Sequence, residues 1–353
     1  AGKYTRSKVR KSMPREYAYI LDELMHATRD EEKVRHEYHQ SILRSIVGTG
    51  AQDDFVEALA TLIKRLAVDR LHVVGDIYDR GPHADRIIHD LKNHPSVDIQ
   101  WGNHDIAWMG AACGSLACIC SIVRTCVRYD TLDILESAYG ISLRKLALFA
   151  DATYRHDDAV APMEKAIDVI LFKVEGQTFR RHPDWRLSSH RLLLDKMDLA
   201  RGVVNVNETE WPLSTTDFPT VDPKDPFALS PEEEELLHGI AQAFGESGRL
   251  HRHISFFYER GSLYLVRDGN LLFHGCIPMA KDGSFSRVMC NGELLSGRAY
   301  MDFCDHVARR AWSQGDQDAL DWMYYLWCGA HSPLSGRVVK TFERAFVPDK
   351  AAW

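Results

Sequence analysis

The sequence has no excess of positive charge: a net charge of −7 and a pI near 6.2 leave no basic face of the kind that nucleic acid or an anionic membrane surface requires. Neither is expected as a partner, whereas a small acidic substrate held by local charge is compatible with this balance. Cysteine is sparse for a chain of this length, at eight residues, and no two stand in Cys-x-x-Cys spacing. A dense disulfide framework, a zinc ribbon and a thioredoxin-like redox motif are therefore not expected, and a reducing cytoplasm suits the chain best. The amino-terminal stretch AGKYTRSKVRKSMPREY is basic, but no apolar segment follows it, so it does not read as a secretory signal. Long apolar runs are almost lacking too. Ile106 to Val123 is free of charge and reaches the shortest length that spans a bilayer, but Gly110, Gly114, Ser115 and Ser121 dilute it, and Asp105 and Arg124 close it. It reads as a buried core helix. There is no internal repeat and no phosphate-cradling Gly-x-x-x-x-Gly-Lys-Ser/Thr.

What is present is a globular composition, 45% hydrophobic and 26% charged, sufficient for a large core in one large domain or two smaller ones. The first fifty residues are expected to be helical, with Pro14 near the start of a helix that buries Tyr17, Ile20, Leu21, Leu24 and Met25 on one face. A second amphipathic helix is expected from an Asp53–Asp54 cap through Phe55, Leu59, Leu62, Ile63 and Leu66. Leu71 to Val74 reads as a strand, the segment with Ile87, Ile88 and Leu91 inward as a helix, and Val97 to Trp101 as the next strand. Strand, helix and strand at this spacing predict a parallel pair, with functional loops at the carboxyl ends of the strands. From Thr131 to Leu250 the pattern is mainly helical, interrupted by NVNETEWPLSTTDFPTVDPKDPF, which reads as a long irregular loop. Ser230, Pro231 and four glutamates read as a solvated helix start. ISFFYERGSLYLVRDGNLLFHG reads as an antiparallel meander joined by Arg-Gly and Asp-Gly turns, and the remainder as helix and then loop.

Two predicted loops at strand ends read Gly75-Asp76-Ile77-Tyr78-Asp79-Arg80-Gly81 and Gly102-Asn103-His104-Asp105, and a third reads His274-Gly275-Cys276-Ile277-Pro278. Singly, each residue has an ordinary reading: an Asp after a strand is a cap, a loop Asn a turn former, a His a satisfied hydrogen-bond partner. Jointly and in this order they resemble the second, third and fourth motifs of the calcineurin-like metallophosphoesterases. The chemistry suits these residue types, because a phosphate monoester is already anionic and its hydrolysis needs both charge neutralisation and a nucleophile available at neutral pH. By that resemblance Asp76, Asn103 and His274 are metal ligands, with Asp76 able to bridge two ions. His104 is the proton donor to the leaving alkoxide, Asp79 fixes its orientation, and Arg80 grips phosphate oxygens as a planar fork.

Longer segments narrow the resemblance. KYTRSKVRKSMPREYAYILDEL, GDIYDRGPHADRIIHDL, GNHDIAWMGAACGS, FPTVDPKDPFALSPEEEEL, GSLYLVRDGNLLFHGCIPM and WCGAHSPLSGRVVKTFER are similar, in order and over nearly the whole chain, to the class III, Firmicutes-type fructose-1,6-bisphosphatases. That resemblance implies an α/β (α+β) chain built on a calcineurin-like metallophosphatase β-sandwich flanked by helices and carrying a long helical insertion. It implies a helical segment at 1–52, core at 53–130, insertion at 131–250 and further core at 251–353. It also implies fructose 1,6-bisphosphate as substrate, hydrolysed to fructose 6-phosphate and phosphate in gluconeogenesis. Two divalent ions are implied, Mn2+ favoured over Mg2+, and a homo-oligomer is compatible. Rival readings are a phosphoprotein or dinucleoside polyphosphate phosphatase, and a catalytically incomplete piece that needs a partner chain.

The superfamily also uses Asp-x-His and Gly-His metal motifs, and neither occurs in this sequence; Gly329-Ala330-His331 has the wrong register. A chain cut from something longer, at both ends, is the expectation. Cys113, Cys118, Cys120 and Cys126 read as small buried hydrophobes rather than a cluster site. Cys276 adjoins His274, and modulation of the metal is the lesser reading for it. His36-Glu-Tyr-His39 lacks the four-residue spacing of a zinc protease. The basic groups Arg155 with His156, and Arg180, Arg181 and His182, read as solvated surface rather than a second phosphate subsite.

Overall fold

The computed structural model describes residues 9–25, 33–68, 70–94, 96–156, 160–185, 192–335 and 345–352. The chain divides into two compact units: Ala1–His72 with Asn93–Asp98, and Val73–Lys92 with Ile99–Trp353. Architecture is mixed α/β, rich in helix, with sheets of two or three strands among the described residues.

The first unit is built on helices α1 (Ala18–Met25), α2 (Lys33–Gly48) and α3 (Gln52–Ala67). Met13, Leu21, Ile46, Phe55 and Leu62 form its core, with Tyr17, Ile20, Leu24, Leu59 and Leu66 packed against them. Pro14 lies in the turn ahead of α1, where its carbonyl accepts from the Tyr17 N–H. Two expected core positions turn outward instead: Met25 is 48% and Ile63 65% exposed. The buried positions of the helices that carry them are Leu21 in α1 and Phe55, Ala58 and Leu62 in α3. Residues 1–8 and 26–32, read above as part of a helical start, lie outside the described residues.

Strands β1 (Leu71–Val73) and β2 (Val97–Gln100) flank α4 (Ala84–Asn93), and β2 pairs in parallel with β6 (Gly261–Ser262). Helix α4 buries Ile88 and Leu91 as expected, but Ile87 is half-exposed, one step around the helix from the buried stripe. The charge-free stretch is not one helix. It breaks at Cys113–Ser115 into α5 (Asn103–Ala112) and α6 (Leu116–Arg128), both almost wholly buried and packed on each other. Among the described residues no helix is long and apolar enough to cross a membrane.

The segment 131–250 is less uniformly helical than its sequence reads. It contains α7 (Arg144–Thr153), α8 (Pro162–Arg181) and α9 (Pro231–Glu246), but also a three-stranded antiparallel sheet, β3 (Met197–Asp198), β4 (Val203–Val206) and β5 (Thr209–Pro212). The expected irregular loop at 205–227 therefore begins with a hairpin. Asn207 and Glu208 both take left-handed φ, 53° and 62°, in its two-residue turn, and polar residues on the outer face hide the strand pattern. ISFFYER is also not a strand: it completes α10 (Gly248–Arg260), where Ile254, Phe256, Phe257 and Tyr258 are all buried. An apolar run this short does not by its period tell strand from helix. The Asp268-Gly269 turn is confirmed, joining β7 (Tyr264–Arg267) to β8 (Asn270–Phe273). A further hairpin, β9 (Val288–Cys290) and β10 (Glu293–Leu295), stands where the sequence reads as helix and then loop, although its Asn291-Gly292 turn is a strong hairpin signal. Helices α11 (Gly297–Gln314) and α12 (Gln317–Cys328) follow.

Candidate functional site

The two strand-end loops and the segment after β8 converge within the larger unit. Gly75 (φ 87°), Asp76 (φ 55°) and Arg80 (φ 47°) give the first loop a run of left-handed backbone that only the glycine adopts without strain. The loop is held by its middle: Tyr78 is buried, stacked on Trp108 with ring centres 4.7 Å apart, and its hydroxyl lies 2.8 Å from that of Tyr139. Close approach of the loops dictates two glycines. A Cβ on Gly102 would lie 2.2 Å from Asp76 Oδ1, and one on Gly75 2.6 Å from the Gly102 nitrogen and 2.7 Å from His274 Nδ1.

Asp105 ties the two loops together. Its fully buried carboxylate accepts N–H bonds from Asp76 (2.8 Å) and Gly102 (3.0 Å) at Oδ2 and from Tyr78 (3.1 Å) at Oδ1. Burial pushes this carboxyl up to about 7, against those three bonds, which favour its ionised form. It sits at the third position of α5, which Asn103 opens, half-buried, beside Gly102. Sequence reasoning gave Asp105 no role of its own. Its one signal was a carboxylate bordering an apolar helix, a place where an unpartnered charge is costly.

Asp76 stands between two groups of donors. On one side His274 Nε2 is 3.3 Å from Asp76 Oδ2, while His274 Nδ1, 2.7 Å from the Val74 carbonyl, donates to it and so fixes the ring. On the other, the His104 N–H donates to Asp76 Oδ1 at 3.1 Å, and His104 Nε2 lies 3.2 Å from Asp79 Oδ1. Asp79 also receives Nε and Nη2 of Arg80 at 2.6 and 3.1 Å. Trp327 meets the His104 ring edge to face at 4.8 Å. The Asp76 bond raises His274 to about 9. Burial works to raise Asp76, but the His274 bond and charge outweigh it and leave the carboxylate below its usual range. Burial lowers His104 and prevails over the pull of Asp79 and Asp76.

This donor set fits a divalent cation. Ligand-capable atoms of Asp76, Asp79 and His104 lie within 4.8 Å of one another, the one such group among the described residues. The bond from His274 Nε2 to Asp76 Oδ2 places a proton where a cation would serve both. Carboxylate oxygen with imidazole nitrogen suits a first-row divalent cation better than a soft metal.

The other candidates do not join this site. Arg155 and His156 pair with Asp217 and Asp151, Arg180 with Asp225, and Arg181 and His182 with Asp321. These are neutralised groups, and His182 is not solvated surface but stacks on Trp185 at 3.9 Å. Cys118, Cys120 and Cys126 are buried thiols as expected, Cys113 is partly so, and burial raises all four. The Cys276 N–H donates to the Pro333 carbonyl, which fastens the strand end that carries His274. In the acidic run, Glu233 is fully buried rather than solvated.

Comparison with known proteins places the chain. The family model described as Firmicute fructose-1,6-bisphosphatase matches residues 1–353. Class 3 fructose-1,6-bisphosphatase of Clostridium novyi is 43% identical over 99% of this chain and 56% of its own length. Those of Listeria innocua and Listeria monocytogenes are each 43% identical over 99% of this chain and 57% of their length. The chain thus spans little more than half the length of these relatives. No solved structure matches it.

Proposed function

This chain belongs to the Firmicute fructose-1,6-bisphosphatase family, and from that premise we propose that its function is hydrolysis of fructose 1,6-bisphosphate to fructose 6-phosphate and phosphate. The observation that carries this reading is the cluster of Asp76, Asp79 and His104, the one such group among the described residues, with His274 Nε2 3.3 Å from Asp76 on its other side. In this reading the chain forms part of a calcineurin-like metallophosphatase core with 131–250 inserted into it.

Asp76, Asn103 and His274 would hold Mn2+, or Mg2+ in its place. When bound, such an ion neutralises phosphate charge and makes a nucleophile available at neutral pH. Arg80 presents its guanidinium to the phosphate from a fork already braced on Asp79. His104 gives its proton to the leaving alkoxide: its ring is held by Asp79 at 3.2 Å, and burial makes the proton easier to release. Trp327 walls the ring from solvent on one side.

The test is phosphate release under manganese titration, with fructose 1,6-bisphosphate beside a phosphoprotein and a dinucleoside polyphosphate. Fructose 1,6-bisphosphate is expected to be the preferred substrate, and Asp76→Ala to abolish both manganese binding and turnover. Preference for either rival substrate would falsify the reading. A second reading rests on the lack of Asp-x-His and Gly-His in the sequence: the chain binds manganese but completes its site only with further ligands. Calorimetric manganese binding without turnover selects that reading.

A further inference from the structure

Arg80 is supported by more than its neighbour in sequence. The guanidinium carbon lies 5.2 Å from the centre of the Tyr129 ring, and Nη1 reaches to within 3.5 Å of the Tyr129 hydroxyl. Of the five guanidinium N–H groups, two are taken by Asp79 and one faces Tyr129, which leaves one on each terminal nitrogen. A phosphate can accept from that remaining pair through two oxygens. The arrangement holds only while the long side chain is kept in one orientation, since an arginine half-exposed to solvent has about 2 kcal/mol of rotamer entropy to lose.

Tyr129 is well placed to supply that restraint, because its own backbone is fixed by a helix end. It is the C-cap of α6, a helix anchored by the fully or nearly fully buried Ile119, Ile122 and Val123. Beyond it Asp130 adopts φ 53°, the Thr131 N–H reaches the Cys126 carbonyl at 3.0 Å and the Asp130 N–H reaches that of Val127 at 3.5 Å. This is the paired closure of a Schellman end, with Asp in the left-handed position usually given to Gly. The ring is 48% exposed, so its contact with Arg80 owes nothing to burial in a core. Arg80, by contrast, sits in a loop at a left-handed φ of 47° and shares with His104 the one carboxylate it meets among the described residues.

We propose that Tyr129 is a positioning residue for phosphate recognition: its ring and hydroxyl hold the Arg80 fork in the orientation that accepts the substrate's reacting phosphate. This rests on the reading that Arg80 grips that phosphate, and the experiment separates the two. Inorganic phosphate binding is measured by calorimetry in manganese buffer for the chain itself, Tyr129→Phe, Tyr129→Leu, Arg80→Ala and the double variant Arg80→Ala/Tyr129→Leu. Tyr129→Leu is expected to weaken phosphate about two- to fivefold, the loss of an exposed cation–π contact. Tyr129→Phe, which keeps the ring, recovers most of that loss. In the Arg80→Ala background, Tyr129→Leu has no further effect, because its action runs through the guanidinium. With fructose 1,6-bisphosphate, Tyr129→Leu raises KM and leaves kcat nearly unchanged. Unaltered phosphate affinity in Tyr129→Leu overturns the proposal, as does an equal loss with and without Arg80. If Arg80→Ala binds phosphate as the parent does, the Arg80 reading fails first and takes this one with it.

Discussion

At the scale of single residues the site is held together by one carboxylate that takes no part in the proposed chemistry. Asp105 supplies three backbone N–H groups with their acceptor, and those N–H groups belong to the two loops that carry Asp76 and Asn103. Asp105→Asn keeps the size but turns one oxygen into a donor facing a donor. Each buried N–H so orphaned costs about 1–3 kcal/mol. The urea midpoint is expected to fall at unchanged slope, and manganese affinity to fall with it as Asp76 shifts; an unchanged midpoint would show that the three bonds are dispensable. The motif residues themselves were legible, because each loop motif is contiguous in sequence and its residue types are set by chemistry. Asp105 and Tyr129 were not legible, since their partners are fixed by the meeting of separate segments: Asp76 and Tyr78 for the one, Arg80 for the other.

At the scale of elements, α8 carries charge into the interior. Lys173 and Glu233 have fully buried side chains and meet at 2.6 Å, and Lys173 also donates to the Thr220 carbonyl at 2.7 Å. Glu233 meanwhile closes the capping box of α9, its Oε2 accepting from the Ser230 N–H at 2.8 Å while its own N–H donates to the Ser230 hydroxyl at 3.2 Å. One ion pair thus fixes a helix start and the loop before it. Lys173→Met strands the Glu233 carboxylate in the core and is expected to cost about 3–5 kcal/mol by chemical denaturation, with Lys173→Met/Glu233→Gln recovering part of the loss. A loss under 1 kcal/mol in the single variant would mean that water reaches Glu233. The start of α9 was legible from Ser230-Pro231 and the glutamates; which glutamate turns inward was not, because that depends on where Lys173 lies. The hairpins divide in the same way. Asp268-Gly269 was read from its turn, whereas β4–β5 has Asn207-Glu208, a pair whose left-handed geometry is imposed by strand pairing rather than announced by glycine.

At the scale of the whole molecule, stability should depend on pH through His253, a buried imidazole whose Nδ1 lies 3.1 Å from the Tyr139 hydroxyl. Burial, then Arg249, Lys92 and Arg252, hold it down to about 4, with Asp85 opposing. Because the folded value lies below the unfolded one, near 6.5, the unfolded chain takes up the proton first. The contribution of His253 is therefore complete above about pH 6.5 and is lost as pH falls toward 4. Thermal unfolding of His253→Gln, which keeps a hydrogen-bonding side chain without the titration, is expected to show a shallower fall in Tm over that range; parallel curves would exclude His253 as the source. Taken by itself, the sequence determined the chemistry and the local structure: which residue types stand in the three loop motifs, the helices with a clear apolar stripe, and the turns marked by glycine or a cap. These are encoded by neighbours a few residues apart, so periodicity and backbone preference suffice to read them. Only the tertiary structure decided that 254–260 is helix, that the charge-free stretch is two helices, and that Asp105, Tyr129 and Glu233 meet the partners they do. A residue's partner 27 to 60 positions away leaves no periodic trace in the chain, and it is fixed only when packing brings the two segments together.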